Sequence, residues 1–194
     1  MKRIFDFFSA LFGLAFLLPF FIVIAIAIKL DSKGPVFYRQ IRVGKGGKDF
    51  RIWKFRSMVV DADKSGQLIT VGGDKRITRV GAVLRKTKID ELPQLINVLV
   101  GEMSLVGPRP EVRKYVDCYT KEQSKVLELV PGITDEASIR FRNENELLAT
   151  EYANYPVDEA YRRFILPEKI RLNLEYAAHR TLWTDFCVIL RTVF

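Results

Sequence analysis

The most constraining feature of this chain is an apolar segment, residues 7–28, which contains no charged side chain. The segment is long enough for one bilayer crossing, which needs about 20 apolar residues. Pro19 lies in its middle, and basic residues flank it on both sides, with Lys2 before it and Lys29 after it. Because positive charge favours the cytoplasmic side of a membrane, a helix that breaks at Pro19 and returns to the same face would satisfy both flanks.

Three other interpretations of this segment stay open at this point. Composition alone favours a single crossing helix with a proline kink, since prolines are tolerated in membrane helices. A cleaved signal peptide requires small residues after the apolar core, whereas Lys29, Leu30 and Asp31 follow it here. The fourth possibility is a core helix of a soluble protein.

The composition narrows the class of partner. The chain of 194 residues has a formal net charge of +8, which suits nucleic acid, anionic lipid or a phosphorylated substrate. The apolar segment favours lipid and lipid phosphate over nucleic acid. The single histidine, His179, argues against a His-rich metal site and against a Ser-His-Asp hydrolase. Cys118 and Cys187 belong to no C-x-x-C pattern and fit a reducing compartment.

The residues after the apolar segment predict a mixed but mainly helical domain. Alternating residues 36–43 and 49–56 around a glycine-rich turn predict a β-hairpin. Residues 57–73 are polar and predict a loop, and residues 103–106 predict a short strand. Helices are predicted, from periodicity and stop signals, at residues 77–84, 90–99, 113–130, 144–154 and 168–194.

Asp90 and Glu91 form the strongest candidate site, because two adjacent carboxylates open a predicted helix in which Asp90 is the N-cap. The helix N-terminus and the nearby Arg85 and Lys88 would lower the pKa of Asp90 and keep it ionised. An ionised aspartate can ligate Mg²⁺ or attack phosphorus. A capped helix with two acids in its first turn is also a common structural arrangement.

The sequence Gly-Pro-Arg-Pro at residues 107–110 is a second candidate, because prolines on both sides of Arg109 restrict the backbone around it. An arginine held in this way is suited to bind a phosphate through two hydrogen bonds. A rigid turn with a surface arginine is the structural alternative.

Four blocks occur in one order and together carry a resemblance. They are Lys-Phe-Arg-Ser-Met at 54–58, Asp-Glu-Leu-Pro-Gln at 90–94, Gly-Pro-Arg-Pro at 107–110 and Pro-Gly-Ile-Thr at 131–134. The chain resembles the bacterial sugar transferase family, the monotopic polyprenyl-phosphate phosphoglycosyl transferases, over nearly its whole length. It is most similar to the minimal catalytic form of that family.

The resemblance implies an activity and its residues. A sugar phosphate would pass from a UDP-sugar to polyprenyl phosphate at the cytoplasmic face of the bacterial inner membrane, with release of UMP. Asp90 matches the family's nucleophile, and Glu91 matches its partner acid, with Mg²⁺ as the expected cofactor on these two carboxylates. Arg85, Arg109 and Arg142 match arginines expected near phosphates.

The sequence thus predicts an α/β, mostly helical membrane-associated domain with a small β-hairpin and an N-terminal re-entrant membrane helix. Residues 1–30 would form that helix, broken at Pro19, and residues 31–194 a cytoplasmic-face catalytic domain with interfacial amphipathic helices. The expected partners are UDP-sugar, polyprenyl phosphate, membrane lipid and downstream glycosyltransferases, without nucleic acid. A non-catalytic membrane-anchored basic scaffold and a bitopic lipid-phosphate hydrolase are the alternative functions.

Overall fold

The computed structural model of the protein describes residues 1–62 and 74–193, and the side chains of residues 1–62 and 74–192. The predicted loop at residues 57–73 therefore lies largely outside the described residues. Within them the fold is mostly helical with two small two-stranded sheets, which confirms the predicted mixture of helices and a hairpin.

The first element, α1 (Lys2–Asp31), is long and apolar enough to cross a membrane. One face, including Phe21, Ile24 and Ile28, packs against the rest of the protein, while large side chains such as Phe12 and Phe16 are exposed. Pro19 lies inside α1, and the helix continues on both sides of it. The helix is therefore not interrupted there, and a change of direction at Pro19 stays a prediction.

The predicted hairpin is confirmed to within one residue at each end. Strands β1 (Phe37–Val43) and β2 (Asp49–Phe55) pair antiparallel, in a register that sets Tyr38 opposite Lys54. Its connection contains Gly46 and Gly47 at φ values of 68° and 72°, which L side chains rarely adopt.

A second sheet is parallel and joins β3 (Ser104–Val106) to β4 (Gly132–Thr134). The strand at 103–106 was predicted, whereas Pro131 and Gly132 were interpreted as a helix stop and no strand was predicted at residues 131–134. Strand β4 is recognisable from its pairing with β3, which is a non-local contact.

The remaining elements are short helices followed by two longer ones. The α-helices are α2 (Arg79–Lys86), α3 (Leu95–Val100), α4 (Arg113–Val116), α5 (Lys121–Ser124), α6 (Glu136–Arg140), α7 (Glu144–Thr150), α8 (Val157–Ala160), α9 (Leu166–His179) and α10 (Leu182–Val193). Three 3₁₀ helices (Lys45–Gly47, Ile89–Gln94, Lys125–Glu128) and one π-helix (Tyr161–Ile165) complete the set among the described residues.

Several predicted helices differ in extent from the observed ones: α7 ends at Thr150 rather than at residue 154, and the stretch predicted as helical at 168–194 is divided between α9 and α10. Residues 113–130 form three short pieces, because Thr120 and Gln123 make a reciprocal capping box that starts a new helix. Residues 90–99 begin as a 3₁₀ helix and become α3 only at Leu95. Pro93 has no N–H to donate to an α-helical bond, which favours the tighter first turn. Gly101, at φ 94°, ends α3 as predicted.

Candidate active site

Strand β2 carries Lys54 into the site. Asn97 of α3 fixes this strand, because its Oδ1 accepts from Trp53 N at 2.9 Å and its Nδ2 donates to Arg51 O at 2.9 Å. Phe55, which follows Lys54 in the strand, is buried against Phe21 of α1. Contacts of the residues before and after Lys54 therefore fix its position in the strand. Its ammonium group reaches Glu91, where Nζ lies 2.8 Å from Oε1.

The Gly-Pro-Arg-Pro loop crosses the start of β4 at very close range. A Cβ on Gly132 would lie 2.1 Å from Gly107 N, so a side chain at position 132 would clash with the backbone of the loop. Gly132 N donates to Pro108 O at 2.9 Å, and Arg109 N donates to Asp135 Oδ2 at 3.1 Å. These contacts fix the backbone of the loop on both sides of Pro108.

Glu91 lies between two cations. Arg109 donates from Nη1 to Glu91 Oε2 at 2.9 Å and from Nη2 to Oε1, while Lys54 donates to Oε1. Burial alone would raise the pKa of Glu91, but the Arg109 and Lys54 charges outweigh it and hold that pKa well below its ordinary value. Glu91 is therefore ionised and fully paired at neutral pH.

Asp90 differs from its neighbour. Asp90 is 6% exposed, and none of the described residues donates a hydrogen bond to its carboxylate. Burial raises the pKa of Asp90, opposed first by the Lys54 charge, and the negative Glu91 raises it further. The predicted lowering of this pKa was wrong, because burial outweighs the nearby cations. The predicted N-cap role was also wrong, since Lys88 precedes the 3₁₀ helix that contains Asp90.

The three predicted arginines have different surroundings. Arg109 pairs with Glu91 as described, and Arg85, in the last turn of α2, is close enough for its charge to lower the pKa of Asp90. Arg142 is exposed, and its Nη2 donates to Arg191 O at 3.1 Å near the end of α10. The structure therefore brings Arg85 and Arg109 to the two acids and leaves Arg142 at the end of α10.

Of the two carboxylates predicted to bind Mg²⁺, only that of Asp90 is available to a metal ion in this structure. Among the described residues no three His, Cys, Asp or Glu side chains converge as a complete metal cage would. Mg²⁺ is commonly held by one or two carboxylates together with substrate phosphates, and the unbonded carboxylate of Asp90 suits that arrangement. Glu91 would have to release Arg109 or Lys54 before it could join the metal.

Two side chains of the site were not predicted. Lys54 belongs to the Lys-Phe-Arg-Ser-Met block but was not assigned a role. Strand alternation places its side chain on the face of β2 opposite to the face that carries Phe55. Arg42 donates from Nη1 to Pro110 O at 3.1 Å and so supports the Gly-Pro-Arg-Pro loop at residues 107–110, hereafter the arginine loop. Their partners lie 37 and 68 positions away in the sequence, so no local pattern identifies either contact.

The fold and the site define a class of protein. The combination of a long apolar helix and a nearly buried aspartate, with Lys54, Arg85 and Arg109 around the acids, suits a membrane-associated protein that handles phosphorylated substrates. The chain belongs to the bacterial sugar transferase family, whose model matches residues 1–194.

Individual relatives agree with this assignment. The chain is 38% identical, over its whole length, to a UDP-N-acetylgalactosamine-undecaprenyl-phosphate N-acetylgalactosaminephosphotransferase of Aeromonas hydrophila, of which the match spans 43%. It is 37% identical over 99% of its length to a UDP-glucose:undecaprenyl-phosphate glucose-1-phosphate transferase of Caulobacter vibrioides, of which the match spans 68%. Over 56% of its length it is 56% identical to an exopolysaccharide production protein of Rhizobium leguminosarum bv. phaseoli, of which the match spans 55%.

The chain thus spans less than half of the Aeromonas relative and about two thirds of the Caulobacter one. Both names describe transfer of a phosphorylated sugar to undecaprenyl phosphate. The apolar α1, together with relatives that act on a lipid phosphate, indicates membrane association.

Proposed function

We propose that this protein transfers a sugar 1-phosphate from a UDP-sugar to polyprenyl phosphate, undecaprenyl phosphate in the bacterial case, and thereby starts the assembly of a glycan. The observation that carries the proposal is the contrast between two adjacent acids. Glu91 is saturated by Arg109 and Lys54, whereas the carboxylate of Asp90 accepts no hydrogen bond from any described residue. An unpaired carboxylate next to cations is suited to attack a phosphorus atom.

The reaction runs in two displacements. In the first, an Asp90 carboxylate oxygen bonds to the sugar-bearing phosphorus, and the bond from that phosphorus to the bridging oxygen breaks. UMP leaves with the bridging oxygen and its electron pair. In the second, an oxygen of polyprenyl phosphate attacks the same phosphorus and the acyl phosphate bond breaks. This step regenerates the Asp90 carboxylate and forms a polyprenyl diphosphate sugar.

The surrounding cations have separate tasks in this reaction. Lys54 opposes the effect of burial on the pKa of Asp90, which favours the ionised nucleophile. Arg109 lies with its guanidinium fork against Glu91 and can extend donors to the diphosphate, while Arg85 adds positive charge nearby. Mg²⁺, held by Asp90 and the substrate phosphates, would neutralise charge on the diphosphate oxygens.

A monotopic, re-entrant arrangement of α1 is the second part of the proposal, and contacts at both ends of the helix support it. At the first end, Lys2 Nζ lies 2.5 Å from Asp185 Oδ2, and Asp6 Oδ2 accepts from Ser104 Oγ at 2.8 Å. At the other end, Asp31 Oδ2 accepts from Val80 N at 3.0 Å.

These contacts constrain the topology because a helix that crosses a bilayer separates its two ends by the membrane. Both ends of α1 are instead hydrogen-bonded to one folded domain, which supports the proposal that both ends lie on one side. The positive flanks favour the cytoplasmic face of the inner membrane as that side. The exposed Trp183, Phe186 and Leu190 of α10 would lie in the same interface.

A burst experiment tests the covalent mechanism. The protein, Mg²⁺ and a panel of UDP-sugars are mixed without lipid, and UMP is measured. One UDP-sugar should give at most one UMP per active site and add the mass of a sugar phosphate to the protein on Asp90. Asp90→Asn should give no burst, whereas Asp117→Asn, which changes an exposed carboxylate, should behave as the wild type.

Other outcomes favour other functions. A scaffold would release no UMP under any condition, and a lipid-phosphate hydrolase would release inorganic phosphate. Turnover without a burst, with intersecting double-reciprocal kinetics, would favour direct attack by the lipid phosphate. Any of these results would reject the covalent mechanism.

A further inference from the structure

A π-helix lies at the end of a hydrogen-bonded path to the arginine loop. Helix α8 runs into the π-helix Tyr161–Ile165, which continues as α9. Single π-helical turns inside α-helices are rare and are often found at functional sites. Here the segment carries Tyr161, which is 3% exposed and whose hydroxyl donates to Glu111 Oε1.

Glu111 directly follows Pro110 of the arginine loop and is held by three contacts, two from β1 and one from the π-helix. Its carbonyl oxygen accepts from Val43 N at 2.8 Å, its Oε1 accepts from Tyr161, and its Oε2 lies 4.0 Å from Arg42 Nη1. The same Arg42 donates to Pro110 O, one residue from Arg109. The C-terminal side of the loop is therefore fixed through Glu111 and Arg42.

The Tyr161 side chain is well suited to fix Glu111. The Tyr161 ring packs against the ring of Tyr115, with centroids 4.9 Å apart. The Lys169 ammonium group lies 5.0 Å from the centroid of the Tyr161 ring. Burial, reinforced by the Glu111 charge, raises the pKa of Tyr161 well above its ordinary value, so the hydroxyl stays protonated. It is therefore a hydrogen-bond donor to Glu111 at neutral pH.

We propose that Tyr161 is a positioning residue for Arg109, which acts through Glu111 and sets the guanidinium where it meets Glu91 and the substrate diphosphate. The inference rests on the proposed function for its substrate and adds the π-helix to the parts of the protein that determine turnover. Displacements of about 1 Å at a reacting site are enough to cost large factors in rate.

The first test removes the hydroxyl alone. Tyr161→Phe should lower kcat/KM for the active UDP-sugar on the order of tenfold, the range of a lost hydrogen bond to a charged group. The matched control is Tyr115→Phe, which also removes one tyrosine hydroxyl from the same aromatic pair. That hydroxyl donates to Asp158 and not to Glu111, so this variant should keep wild-type kinetics.

The second test asks whether the effect passes through Arg109. In an Arg109→Ala background, Tyr161→Phe should cause no further loss, because coupled residues are non-additive in a double-mutant cycle. Glu111→Gln keeps an acceptor for Tyr161 and should retain more activity than Glu111→Ala. Equal kinetics of Tyr161→Phe and Tyr115→Phe, or equal losses with and without Arg109, would overturn the proposal.

A structural measurement separates this inference from the proposed function. Crystal structures of the wild type and of Tyr161→Phe should differ at residues 108–111, with the fork between Arg109 and Glu91 lost in the variant. An unchanged fork would overturn the positioning role even if the protein is active. A wild type that releases no UMP from any UDP-sugar would reject the proposed function, while the crystal structures would still decide the role of Tyr161.

Discussion

The ion pair of Glu91 gives a quantitative prediction for the substitution Glu91→Gln. The glutamate side chain is 13% exposed and accepts from Arg109 and Lys54, so its replacement leaves two cations without their counter-charge. Removal of one partner from a buried ion pair costs about 3–5 kcal/mol. Since 1 kcal/mol corresponds to about 2–4 °C for a protein of this size, Tm should fall by roughly 6–20 °C. The glutamine oxygen still accepts one bond, which favours the lower end.

The assay is thermal unfolding in mild detergent, followed by tryptophan fluorescence, with Glu168→Gln as the matched control. Glu168 also accepts two hydrogen bonds from one arginine, Arg171, at 2.7 Å each, but on the exposed surface of α9. Solvent screens that pair, so its loss should leave Tm nearly unchanged.

The pH dependence of Tm provides a second check on Glu91. Because the pKa of Glu91 is lowered in the folded state, its contribution is fully present above the unfolded value of about 4.3 and is lost as the pH falls through the folded pKa. The Tm difference between wild type and Glu91→Gln should therefore shrink below about pH 4. Equal Tm values for Glu91→Gln and Glu168→Gln at pH 7 would refute the reasoning.

Three further predictions concern the arginine fork, the nucleophile and the topology. Arg109→Lys keeps the charge but loses the guanidinium fork, so kcat/KM should fall about 10- to 150-fold, which corresponds to about 1.5–3 kcal/mol for a charged hydrogen bond. Wild-type kinetics of this variant would exclude Arg109 from the site. Lys54→Met removes a charge that lowers the pKa of Asp90, so the acid limb of the kcat/KM profile should move to higher pH, whereas an unmoved limb would show that Asp90 ionisation does not govern it. Cysteines introduced as Ile4→Cys and Lys33→Cys, in a background without native cysteines, should both resist an impermeant reagent in intact cells, and labelling of position 4 alone would reject the re-entrant helix.

Local sequence was sufficient for the elements whose signals are local. The apolar run predicted α1, alternation around glycines predicted the hairpin to within one residue, and Gly101 marked the end of α3. The sequence also singled out Asp90 and Glu91 as adjacent acids at a predicted helix start, and Arg109 as an arginine between two prolines. The capping box at Thr120 was a local signal as well, but it was overlooked within a longer helical pattern.

The tertiary structure decided how the site is organised. Adjacent acids at a predicted helix start gave no sign that Glu91 would be saturated by Lys54 and Arg109, whereas Asp90 would be nearly buried with no described hydrogen-bond donor. The direction of the Asp90 pKa shift depends on burial, which is a property of the packed molecule, so the helix N-terminus and basic neighbours alone predicted the wrong sign. The contact of Tyr161 with Glu111 spans 50 positions and is likewise set only by packing. Local patterns therefore determined which residues are available for chemistry, and long-range contacts determined the charge and freedom of each.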